Sequence, residues 1–361
     1  MRRPVVALLS AVALAATAAC SAATDDAGSS DGSPTPSEPT RTTSPTTPAP
    51  SASPSTTPSV SPAPSVPTAE SRVSLPTLMA RSYDGRRLQR TGVLVRTDDY
   101  TRYAVRYRSD DLWISGILNV PTGRGPYPVV VMAHGYIDPA IYVRGQGLMR
   151  EQDWLARRGF AVLHTDYRGH AASDDTGPLD RELRLGYTVD VINAVHAVRR
   201  SSMRRLDGAR VSLLGRSMGG GVVLNALVTQ PGLVDAAVVF ASVSSDAVDN
   251  FERWTRPERP ESVSRIERRF GLPEQNPTFW RQISSRTYVD RITEPVLLHH
   301  GTSDDSCPYR WSVRTTRALT NAGVDARLRT YEGEEHAFGP QWPQSMRRTL
   351  RFLRSSSEPQ A

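Results

Sequence analysis

Five short, continuously apolar runs, at residues 128–133, 160–164, 211–214, 236–241 and 295–299, set the strongest limit on how this chain can fold. Successive side chains of a β-strand point to opposite faces, so a strand that is apolar at every position must be covered on both sides. Helical patterns at 148–158 and 189–200 separate the runs and supply that cover. The expected fold class is therefore α/β, a mostly parallel, doubly wound sheet with crossover helices, whose functional loops lie at the carboxyl ends of the strands. Ahead of the runs, the alternating segments 103–107 and 112–118 read as antiparallel N-terminal strands. The stretch 244–288 breaks the rhythm with several prolines, many arginines and glutamates, and the aromatics Phe251, Trp254, Phe279 and Trp280. It is read as a small helical lid.

The start of the chain has a different character. Arg2 and Arg3 precede an apolar run over 5–19 that is too short for a stable bilayer span but suits the core of a signal peptide. That run ends in Thr17-Ala18-Ala19-Cys20, which resembles a lipobox whose cysteine is lipidated, although threonine stands where leucine is usual. Residues 1–20 are thus expected to direct export, and the protein is expected outside the cell, anchored to the membrane through Cys20 or otherwise secreted. Residues 21–72 are dominated by Ser, Thr, Pro, Ala and Gly and have too little apolar surface to offset the entropy of ordering. They read as a disordered linker ahead of a single catalytic domain at 73–356. Cys20 and Cys307 are the only cysteines, and a bond between them would tie a leader to the far end of the enzyme, so no disulfide is expected. All 44 basic residues are arginine, and the net charge of +7 permits loose attraction to anionic polymers or lipid headgroups. Because the arginines are scattered among acids, with no basic stripe interleaved with aromatics, nucleic acid is not an expected partner. A narrower idea, that lid arginines such as Arg253 and Arg256 grip an acidic substrate, rests on charge alone.

The chemistry is carried by Gly215-Arg216-Ser217-Met218-Gly219, which follows the run 211–214 and opens an Ala/Leu/Val-rich helix. A sharp strand-to-helix turn lifts the serine hydroxyl above the sheet, and the flanking glycines avoid Cβ clashes in the turn. Gly220 and Gly221 are read as packing positions. A serine hydroxyl is a weak nucleophile and needs a base, itself held in one tautomer by an acid. Of the seven histidines, His336 alone follows an acidic strand-terminal loop, so Ser217, an aspartate and His336 complete the order of a triad. Asp304 and Asp305 compete for the acid. The oxyanion donors are assigned to the backbone N–H groups of Met218 and of Tyr136, the latter in the loop Met132-Ala133-His134-Gly135-Tyr136. His134 is read as orienting that loop, and the polar loop from Asp166 to Ser173 as a hydrogen-bonded brace. Cys307 reads as a small packed hydrophobe.

With these pieces in place, the segment from about 103 to 354 resembles the catalytic domain of the prolyl oligopeptidase family within the α/β-hydrolases. The matching residues are His134-Gly135-Tyr136, Asp166-Tyr167-Arg168-Gly169-His170, Gly215 to Gly220, Tyr288-Val289-Asp290-Arg291-Ile292, His300 to Pro308, and His336. The resemblance implies an α/β-hydrolase fold and acyl transfer through a covalent serine intermediate, with no metal and no cofactor. It selects Asp304, three residues after the glycine of an H-G-x-x-D loop, and leaves Asp305 to cap the following helix. Cys307 stands where such loops commonly carry valine. Larger family members have an N-terminal β-propeller, and this chain has the linker in that place. The expected substrate is a small ester or a short peptide. The alternatives are a strict carboxylesterase and a non-catalytic cell-envelope binding protein on a hydrolase scaffold. No feature of the sequence sets an oligomeric state.

Overall fold

A computed structural model describes residues 66–69, 71–177 and 183–357. The expected leader at 1–20, with Cys20, and nearly all of the linker at 21–72 lie outside the described residues.

Nine strands form one sheet: β1 (Arg86–Arg96), β2 (Tyr100–Ser109), β3 (Leu112–Pro121), β4 (Tyr127–Ala133), β5 (Ala161–Thr165), β6 (Leu206–Arg216), β7 (Ala237–Phe240), β8 (Val296–Gly301) and β9 (Ala326–Tyr331). Their order across the sheet is β1-β2-β3-β5-β4-β6-β7-β8-β9. The pairs β1/β2, β2/β3 and β3/β5 are antiparallel, and every pair from β5/β4 to β8/β9 is parallel. The expected apolar runs thus became parallel strands. The alternating segments became β2 and β3, with β1 added at the edge.

Alternation within the parallel strands shows how both faces are filled. Val129, Val131 and Ala133 of β4, with Leu163, Leu213 and Val239, enter one apolar cluster, which also takes the helices Leu185–Arg199 and Met218–Thr229. Val130 and Met132, with Val162, Leu214 and Val238, enter a second cluster on the opposite face, covered by Met149–Ala156 and Trp342–Ser357. Side chains that follow one another in sequence therefore occupy different cores, which is why the runs have no polar gaps. Helix Met218–Thr229 comes so close to the sheet that a Cβ on Gly219 would stand 1.9 Å from the Ala133 carbonyl oxygen. A side chain on Gly220 or Gly221 would likewise meet Ser242 or Val243 at 2.6 Å, so those two glycines are packing positions.

Between β7 and β8 the chain makes a helical excursion. It runs through Ala247–Asn250, a π-helical turn Phe251–Thr255, Arg256–Glu258, Pro260–Phe270, Pro277–Gln282 and the 3₁₀ segment Ser285–Arg291. Phe251 and Trp280 meet at 4.7 Å between ring centres and seat the excursion on the main core.

Candidate active site

Ser217 is the single residue between the end of β6 and the helix Met218–Thr229, with φ 56° and ψ −122°. Positive φ is rare for a residue with a Cβ and costs on the order of 1–3 kcal/mol. Here the turn is over-determined: the Ser217 N–H donates to Phe240 O (2.9 Å), and its carbonyl accepts from Gly220 N (2.9 Å) and Val243 N (3.2 Å). Behind the turn, Arg216 forms a mostly buried ion pair with Glu151 (2.6 Å), which also accepts from Trp342 Nε1 (2.7 Å). The loop after β4 runs close by, since a Cβ on Gly135 would lie 3.2 Å from Ser217 Cβ. Among the described residues, neither the Tyr136 N–H nor the Met218 N–H donates to a protein acceptor.

Asp304 follows β8 with its carboxylate out of solvent. Oδ1 accepts from the N–H groups of Ser306 (3.0 Å) and Cys307 (2.8 Å), while Oδ2 meets His336 Nδ1 at 2.9 Å and His300 Nε2 at 3.1 Å. Burial alone would raise the acid's pKa. The hydrogen bonds from His300 and His336 and the Cys307 N–H outweigh it and hold the carboxyl well below the usual range. Asp304 is therefore a carboxylate at any pH where the fold persists. With Nδ1 held as donor to it, His336 presents Nε2 as the basic nitrogen.

The loop carrying His336 is fixed from both sides. Arg150 donates to Ala337 O (2.6 Å) and Phe338 O (3.2 Å). The buried Glu334 carboxylate accepts from Gly339 N and Gln341 N, just ahead of the helix Trp342–Ser357. Ser217 and His336 line one cavity of about 250 Å³ together with Tyr136, Arg184, Met218, Val243, Trp254, Arg259 and Ser306. Asp304 and His336 are thus in direct contact and Ser217 faces the same space, but the serine hydroxyl is paired with the Cys307 thiol at 3.9 Å. Burial first, and then Asp304, push that thiol up to about 12, so it is a neutral neighbour of the serine and no rival nucleophile.

A narrower cavity of about 70 Å³ opens beyond Met218, between Val222, Asn225, Val243, Ile266 and Trp280, and shares Arg184 with the first. Arg184 (φ 62°) is partly buried; its carbonyl accepts from Thr188, and its guanidinium has no hydrogen-bond or ion-pair partner among the described residues. Burial presses its pKa below the ordinary value, and nearby Arg259 adds to that against an opposing pull from Tyr187. Arg259 lies over the Tyr136 ring at 4.7 Å.

Two expectations need correcting. Asp305 does not cap the next helix: Tyr309–Asn321 begins at Pro308 with no side-chain cap, and the turn ahead of it is tied by Asp304. Arg253 and Arg256 are not available to a substrate, since Arg253 donates to Asp305 O and Arg256 is paired with Glu252 and Glu274 (both 2.8 Å). His134 does brace its loop, with Nδ1 at 2.7 Å from Gly135 O and its ring stacked on Tyr142. The Asp166 loop is a brace too, Asp166 accepting from Ser115 Oγ (2.6 Å), Tyr142 OH (2.7 Å) and Gly145 N (2.8 Å). Sequence reading overlooked His300, Glu334, Arg150, Arg184 and Arg259. The i, i+4 spacing of His300 and Asp304 was a usable signal. For the arginines there was none in a chain with 44 of them.

This sheet, with its left-behind serine turn after β6 and its acid and histidine after β8 and β9, defines an α/β-hydrolase. The profile of the prolyl oligopeptidase family matches residues 146–358, and the chain belongs to that family, whose members are serine peptidases and esterases. Dipeptidyl peptidase 4 of Sus scrofa is 32% identical over 179 residues, 48% of this chain and 22% of the relative. The acylamino-acid-releasing enzyme of Rattus norvegicus is 28% identical over 226 residues, 60% of this chain and 29% of the relative. The chain therefore spans under a third of the length of these two relatives. Among solved structures, an acetyl xylan esterase from Paenibacillus sp. R4 superposes with a TM-score of 0.60 over 78% of this chain and 92% of the other, at 20% identity, which speaks to the fold.

Proposed function

We propose that this chain is a serine hydrolase that cleaves an ester or amide through a Ser217–His336–Asp304 triad. The observation that carries the reading is the contact of 2.9 Å between His336 Nδ1 and an ionised Asp304, across one cavity from a serine held at positive φ. In this reading the Ser217 hydroxyl, which lines the same cavity as His336, turns from the Cys307 thiol to His336 Nε2. The Oγ–carbonyl carbon bond then forms as Nε2 takes the hydroxyl proton, and the carbonyl oxygen becomes an anion between the N–H groups of Tyr136 and Met218. Collapse breaks the bond to the leaving group, which departs with the proton from Nε2. Water repeats the sequence and releases the acid. The leaving group exits on the His336 side, so the acyl portion points toward Met218 and the 70 Å³ cavity. A carboxylesterase on small acyl esters is a second reading, favoured by the narrowness of that cavity.

Labelling by a neutral fluorophosphonate, abolished in Ser217→Ala, tests the triad; an unlabelled wild-type protein would refute it, and with it leave the non-catalytic binding reading. Parallel assays on p-nitrophenyl esters and on Xaa-Pro and aminoacyl amides separate the two substrate readings, cleavage of amides alone removing the esterase. Export and anchoring through Cys20 are part of the same proposal, supported by Arg2, Arg3 and the run ending in Ala19-Cys20. Membrane fractionation of the full chain against Cys20→Ser tests them: release of the variant into the medium is expected, and an unchanged distribution would reject lipidation.

A further inference from the structure

Charge around the reacting serine is unbalanced. The two cavities that meet at Met218 are lined by Arg184 and Arg259 and, among the described residues, by no carboxylate. Neither guanidinium has a hydrogen-bond or ion-pair partner among the described residues, whereas the neighbouring lid arginines are engaged with Asp305, Glu252 and Glu274. The uncharged polar groups there are largely used as well: Ser244 Oγ donates to Asp249 (2.6 Å), Ser245 Oγ pairs with Thr315 Oγ1 (2.9 Å), and Asn250 is bonded at both ends to the Ser244 backbone. Two like charges near each other, both only partly exposed and with guanidinium donors unpaired among the described residues, are an unfavourable arrangement that an anion joining them would relieve. Solvated surface arginines need no such explanation, but Arg184 is partly buried and borders both cavities.

Resting on the serine hydrolase reading above, we propose that the substrate bears a carboxylate on its acyl portion, bound by Arg184 and Arg259. The planar fork of a guanidinium matches a carboxylate in two-point contact. Arg184 borders the cavity beyond Met218, which His336 does not line, so the charge is placed on the group that stays attached to Ser217 in the acyl-enzyme. A half-ester or half-amide of a short dicarboxylic acid, or an acyl group with an acidic side chain, has this chemistry. A long uncharged acyl chain does not.

The test compares p-nitrophenyl hydrogen glutarate with its methyl ester, p-nitrophenyl methyl glutarate, which differ in charge and little in shape. For the wild-type full chain, kcat/KM for the anion is expected to exceed that for the neutral ester about tenfold or more at low ionic strength, as charge-assisted hydrogen bonds imply. The preference should shrink as salt passes ~0.15 M. Arg184→Gln and Arg259→Gln should each cut the ratio of the two kcat/KM values about tenfold, and Arg184→Lys should recover part of it. Arg259 lies on the excursion's surface, which keeps the test usable should Arg184→Gln fold poorly. Arg253→Gln should leave the ratio unchanged. Equal rates for the two wild-type esters, a preference for the neutral one, or a ratio untouched by both glutamine variants would overturn the carboxylate proposal while leaving the hydrolase reading intact. Fluorophosphonate labelling of Ser217 without release from the anionic ester would overturn it too. Absence of both labelling and release would instead bring down the hydrolase reading.

Discussion

His134, His164 and His170 gather at the ends of β4 and β5, while His300 lies near the end of β8 and His336 follows β9, also at carboxyl ends of strands of the one sheet, and the two groups differ in what their nitrogens touch. His134 meets the carbonyls of Gly135 (2.7 Å) and Asp166 (3.4 Å) among aromatic rings 4.3–5.4 Å away. Burial, with His170 adding to it, pushes it down to about 3, so it stays neutral in the working range. His300 and His336 share one ionised carboxylate oxygen. Position at a strand end is thus common to both groups; Asp304 hydrogen-bonds the rings of the second, whereas in the first the Asp166 carboxylate stands 4.0 Å from His164 Nδ1 without a hydrogen bond.

Removing chemistry from one side should break that contrast most clearly. His336→Ala is expected to lower kcat/KM by ~10⁴-fold or more with the thermal midpoint little moved, and Asp304→Asn by ~10³–10⁴-fold with a lowered midpoint, since its ionised carboxylate stabilises the fold. A loss under about tenfold in either would mean the two groups do not differ as described.

Acid titration sharpens the comparison from the other side. His134 and His299 both have folded pKa values of about 3, below the ~6.5 of an unfolded histidine. The folded state therefore binds fewer protons, and their stabilisation is complete above ~6.5 and is lost as pH falls toward 3. Each contributes a slope of up to ~1.4 kcal/mol per pH unit in that window. Asp304, also depressed, adds its loss only below ~4, as pH approaches its own folded value. Thermal melts should fall steadily from about pH 6.5 to pH 4.5, and a flat profile there would show that the buried histidines accept protons without penalty.

His300 tests a finer division, between holding the acid and taking part in the reaction. It packs under Asp304 with Nδ1 at 2.6 Å from Ser312 Oγ and Nε2 at 2.8 Å from Cys307 O. His300→Asn is expected to reduce kcat about tenfold with KM nearly constant and to shift the acid limb of the kcat profile. A change in stability alone, with the profile in place, would make it a packing residue. The smallest effect is expected at Cys307: Cys307→Val should stay within about threefold of wild type, and the native thiol should resist iodoacetamide until unfolding.

Much of this architecture is legible in the sequence because the strands β4 to β8 each carry a short, mostly apolar run and the serine turn has fixed chemistry. The central strands were expected within a few residues of where they lie, since burial on both faces leaves an unbroken signal. β1 was not singled out, because an edge strand with exposed Val93, Leu94 and Val95 among arginines has neither an unbroken run nor clean alternation. Asp305 was misread because a helix start with a proline at 308 looks as if it needs a cap, while Asp304 already takes the free N–H groups. Arg184 and Arg259 line one cavity although 75 residues separate them, and such a meeting leaves no trace in residue order.

The Glu334 carboxylate joins the loop of His336 to the start of the last helix, and Arg150 ties the same loop to a helix formed far earlier in the chain. Under the proposed mechanism, serine and oxyanion donors are complete by residue 218, yet the proton acceptor is seated only when the final helix docks. A growing polypeptide emerging from the ribosome would therefore carry an inert serine until its last segment is in place, so activity arrives together with the finished fold.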